Sequence, residues 1–68
     1  MNKLKEILFN DALYYWREYR RLAAIYGEFD AVVMTVKAHY NALDDVITES
    51  GLTEEYKSFT AEQERRTA

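Results

Sequence analysis

The chain has no cysteine, no proline, two glycines and a single histidine in 68 residues. Without cysteine there is no disulfide staple and no thiolate zinc site. His39 has Thr35, Ala42 and Leu43 among its helical neighbours, so no second imidazole or carboxylate stands one turn away and no metal site is expected. Without proline, nothing but glycine interrupts a helical pattern. No apolar run approaches the roughly 20 residues of a membrane span. The opening MNKLKEILFNDA is cut at Asn10 and Asp11, short of a signal peptide's apolar region. The expectation is a soluble, cytoplasmic protein with no membrane partner.

What the chain does have is apolar and aromatic surface, 49% and 15% of residues. That is enough for a folded domain, and residues 1–68 make one at most. Chains below about 70–80 residues rarely build a core worth more than about 3–5 kcal/mol without a staple or a partner. With the staples excluded, close helix packing and self-association remain. The net charge of −3 is unevenly placed. Residues 1–26 carry five cations against three carboxylates, whereas residues 27–56 carry Lys37 alone against seven carboxylates. Such asymmetry steers association between copies or with another molecule.

The two glycines punctuate three helical patterns, expected over about residues 3–26, 29–49 and 53–65. Leu8, Ala12, Tyr15, Tyr19, Leu22 and Tyr26 follow a 4-3-4-3-4 spacing, with Leu4 one turn earlier. Phe29, Val33, Val36, Tyr40, Leu43 and Ile47 repeat it, and Leu52, Tyr56 and Phe59 continue it briefly. Stripes of this kind keep one helix face on a neighbour. Gly27 alone separates the first two patterns, which makes them an antiparallel hairpin. Thr53 is the expected cap of the third helix, with Glu54 and Glu55 favoured in its first turn. The charged end AEQERRTA is expected to fray. The expected fold is all-α: a helical hairpin plus a short third helix, paired with a second copy into a dimeric bundle.

In YYWREYRRLAAIYG, residues 14–27, aromatics and arginines alternate along the chain but separate in space. At about 100° per residue, Tyr15, Tyr19, Leu22 and Tyr26 share one side while Lys3, Arg17 and Arg21 take the other. The rings therefore read as core rather than as a base-stacking platform. Phe9 and Leu13 flank the seam on one side, and Ile7, Tyr14 and Ile25 lie on the other. Ile7, Tyr14, Ile25 and Met34 are the expected apolar anchors for a partner, with Arg17, Arg20 and Arg21 as their charged surround. A second stripe, Ala31, Thr35, Ala38 and Ala42, is the expected self-association seam, since small side chains let helices approach closely.

No catalytic or cofactor-binding residue emerges. Asp45 and Glu49 stand one turn apart on a polar face, the usual setting of solvated carboxylates. The run before Gly51 lacks the alternating oxygen ligands of a calcium loop. VITESGLTEEYKSF, residues 46–59, resembles the middle of a helix-turn-helix, with Val46, Gly51 and Leu52 suiting the pattern. Ser50, Lys57 and Thr60 stand where that motif wants apolar residues, and Glu54, Glu55, Glu62 and Glu64 would repel phosphate. The better nucleic-acid footprint is the basic stripe Lys3, Arg17, Arg20 and Arg21. A third possibility is that Asp44, Asp45, Glu49, Glu54 and Glu55 imitate a phosphate backbone and inhibit a nucleic-acid enzyme. The expected activity is non-catalytic: a small adaptor, regulator or inhibitor that binds another protein. Its size fits an accessory product of a phage or mobile element.

Overall fold

Asn2 and Asp30 set where the first two helices begin. The Asn2 side chain accepts the Leu4 N–H at 2.8 Å, and Asp30 Oδ1 accepts from Val32 and Val33 at 3.0 and 3.3 Å. Each supplies an acceptor to backbone donors that have no partner inside the helix. The structure, a computed structural model, describes residues 2–67 as three α-helices: α1 Lys3–Tyr26, α2 Ala31–Glu49 and α3 Thr53–Thr67. No strand occurs among the described residues.

The link between α1 and α2 is four residues long, Gly27 to Asp30, rather than one glycine. Phe29 therefore falls outside α2 and is 86% exposed. The Asp30 cap wins over the apolar spacing because a carboxylate before the run satisfies donors that Phe29 cannot. Gly27 ends α1 with φ 87° and ψ 152°, its N–H donating to Ala23 O.

The second turn is a Schellman closure. Leu52 N–H donates to Ile47 O and Gly51 N–H to Thr48 O, with Gly51 at φ 71°. Leu52 also packs against the cluster that holds Ile47, the apolar contact that accompanies this motif. Leu52 takes the cap position of α3 and its carbonyl accepts from Tyr56, so Thr53 lies one residue inside the helix rather than capping it. At the far end α3 stays helical to Thr67 instead of fraying after residue 60. Glu62 pairs with both Arg65 and Arg66, and the two arginines complement the helix dipole in the last turn.

α1 packs along α2 with the chain running in opposite directions. Trp16 meets Tyr40 with ring centroids 5.0 Å apart, Tyr15 stacks on His39 at 5.1 Å, and Lys37 sits over the Tyr19 ring at 4.8 Å. Further toward the start of α1, Phe9 and Ala12 cluster with Ile47. α3 covers only this end. Phe9 is fully buried there, its ring 5.3 Å from Tyr56 and 5.5 Å from Phe59. Lys5 reaches Glu55 at 2.8 Å beside it.

The core is consequently off the expected line. Phe9 and Leu13, expected at the flank, are buried, and Phe9 lies there against Tyr56 and Phe59 of α3. Leu4 and Tyr26, expected in the seam, are exposed because they run past the ends of the neighbouring helix. Ala12, Val33 and Ile47 are buried as their spacing requires.

Tyr56, at the α3 contact, provides a pH handle. Burial pushes its phenol up to about 12 from an ordinary 10.0, with Tyr40 and Asp44 adding to the rise and Arg17 opposing it. Burial, then Asp44, also raises Tyr40. The fold favours the neutral phenol, so this stabilisation is complete below pH 10 and lost as pH climbs through about 12. In an alkaline titration, the Tyr56 ionisation should come last among the phenols and coincide with loss of helicity. Tyr56→Phe should remove that step and move alkaline unfolding to higher pH; an unchanged profile would mean that α3 does not bury the ring.

Candidate docking surface

The hairpin has two broad faces, and α3 occupies one of them. Phe9, which meets α3, lies about 120° around α1 from Tyr15, which meets His39 on the opposite face. On that open face α2 presents Val32, His39 and Val46 at seven-residue spacing, with half-buried Val36 and Leu43 beside them. α1 presents half-buried Leu8, Tyr15 and Leu22 at the same spacing, with exposed Leu4 and Tyr26 at the ends. Val46 is 48% exposed. A contiguous exposed apolar surface marks a binding surface more often than an accident of composition.

The expected anchors divide between sides. Ile7, Tyr14 and Ile25 are all exposed and form the outer rim of the open face along α1, and the Tyr14 ring lies 5.2 Å from Tyr15. Met34 is exposed but sits on the other side of α2, toward the face that α3 uses. Arg17, Arg20 and Arg21 are exposed on the outer and α3-facing sides of α1. Arg21 is engaged by Glu18 at 2.6 Å, and that hydrogen bond and charge raise its pKa. Because Glu18 offsets one cation, the basic stripe presents less field to a phosphate backbone than its arginine count suggests. Ala31, Thr35, Ala38 and Ala42 all lie exposed on the outer face of α2, away from both α1 and α3. The Thr35 hydroxyl donates to Ala31 O at 3.0 Å, bonding back to its own helix.

Val32 and Val46 stand beside the core seam rather than in it, so the seam spacing does not single them out as docking residues. Their signal was the seven-residue repeat with His39, which becomes meaningful only once the side taken by α3 is known.

Elsewhere the surface offers less. No group of three metal-ligating side chains occurs among the described residues. A groove between α1 and α3, lined by Glu6, Glu55, Phe59, Glu62 and Arg66, is open to solvent rather than enclosed. No described helix is long and apolar enough to cross a membrane. Compared with known proteins, the chain matches no family model, no curated protein and no solved structure.

Proposed function

We propose that the protein is a non-catalytic interaction module, a small adaptor, regulator or inhibitor that docks through the face of the α1–α2 hairpin opposite α3. One observation carries this: α3 closes one face, while the other keeps Leu4, Tyr26, Val32 and Val46 exposed beside the rim residues Ile7, Tyr14 and Ile25. Exposed tyrosines on a rigid helical scaffold supply large contact area at little conformational cost. The arginines of α1 lie outside that face, as a polar surround rather than its centre.

Purification of a tagged chain with its bound molecules, with and without nuclease, tests this. A stoichiometric protein that survives nuclease and is lost from Ile25→Glu, with helical content unchanged, is the expected result. Binding abolished by nuclease, or lost on Arg17→Ala with Arg21→Ala and weakened steeply by salt, would replace docking with nucleic-acid binding.

A further inference from the structure

We propose that the occupant of this face is a second copy of the chain: two hairpins stack into a four-helix core, α1 of each lying on α2 of the other, with both α3 helices outside. This rests on the docking reading and names its partner. It also moves self-association away from the alanine stripe of α2, which faces outward at right angles to the stack.

The apolar side chains of the face and its rim, Leu4, Ile7, Tyr14, Ile25, Tyr26, Val32 and Val46, are 48–76% exposed, and a standard interface draws ~800 Å² from each partner. The single chain also looks incomplete. Its radius of gyration is 12.6 Å, against roughly 11 Å for a compact chain of this length. Its smallest dimension is 17 Å, and among the described residues only five hydrophobic side chains are buried.

Charge selects the copy and its orientation. The open side of α2 carries no carboxylate, lysine or arginine. The open side of α1 carries two carboxylates, Asp11 and Glu18, the second already engaged by Arg21 at 2.6 Å from the outer side. Stacking α1 on α1 of the copy would set carboxylate-bearing sides against each other, with Arg21 offsetting only Glu18. Stacking α1 on α2 of the copy sets them against an uncharged row. A two-fold axis parallel to the helices produces this second arrangement and preserves levels along them. Because His39 stacks on Tyr15 and Tyr40 meets Trp16, His39 of the copy arrives level with Tyr15–Glu18, where its ring N–H faces the Glu18 carboxylate. Every neighbouring helix pair is then antiparallel, as the dipoles favour.

Sedimentation equilibrium of the purified full chain at micromolar concentration reads the stoichiometry, and circular dichroism checks that each variant keeps its helices. The wild type should run at twice the chain mass. Val46→Glu should weaken the dimer about a hundredfold or more, because each copy then forces an unpaired carboxylate into apolar contact. Met34→Glu, on the other side of α2, should leave it unchanged. A Glu18→Cys chain mixed with a His39→Cys chain should give a covalent mixed dimer with a short thiol cross-linker, and neither should do so alone. A monomeric wild type overturns the proposal, as does a dimer weakened equally by Met34→Glu or cross-linked by Glu18→Cys alone. If the monomer still binds a different protein and loses it on Val46→Glu, only the occupant is wrong. If Val46→Glu alters neither mass nor binding, the docking reading fails with it.

Discussion

Phe9→Ala leaves the chain largely unfolded. Phe9 is the side chain through which α1 holds α3, with Tyr56 and Phe59 packed around its ring and Ile47 completing the cluster. Truncating a buried phenylalanine costs about 3–5 kcal/mol in transfer and cavity terms. A chain of this size has about that much stability in total. Phe9→Leu fills most of the volume but loses the ring–ring contacts, each worth about 0.5–1.5 kcal/mol, so it should fold with a lowered midpoint. Urea unfolding followed by helicity measures both, at one protein concentration because a dimer of the kind proposed would add to apparent stability. A Phe9→Ala midpoint equal to wild type would show that α3 does not depend on this ring.

Gly27→Ala produces the second large effect, and it comes entirely from the backbone. At φ 87° and ψ 152°, Gly27 occupies a region essentially confined to glycine, where another residue costs about 1–3 kcal/mol. A Cβ at that position would meet nothing within 4 Å, so no steric contact contributes. Gly51 is the internal comparison. Its φ of 71° closes a Schellman turn in the left-handed region, which asparagine also visits. Gly51→Asn should therefore lie closer to wild type than Gly27→Ala in thermal midpoint. Equal losses at both positions would contradict the conformation of the α1–α2 link.

The three helices were legible because no proline obscures the 4-3 spacing and each glycine falls at a helix end. The middle of the seam was legible for the same reason: Ala12, Val33 and Ile47 are buried where their period puts them. So was the separation of Tyr15 and Tyr19, half-buried, from Arg17 and Arg21, exposed. The burial of Phe9 was not legible, because it depends on where the Gly51 turn swings α3, a long-range outcome that no local period records. Asp30 was legible in principle, an N-capping residue directly before an apolar run, but the phase of Phe29 with Val33 concealed it. The candidate site shows the same division. Ile7, Tyr14 and Ile25 stood out as surplus apolar residues on α1, whereas Val32 and Val46 gain meaning only when α3 is seen to leave their face open.

Photo-cross-linking tests the central claim, that the molecule works through the face α3 leaves uncovered. A photoreactive residue placed at Val46 or at Met34 has nearly the same accessibility, 48% and 54%, on opposite sides of α2. Illumination in the source cell should give a discrete cross-link to another chain, a copy or a different protein, from position 46 and none from position 34. Cross-links from position 34 with none from position 46 would contradict the account.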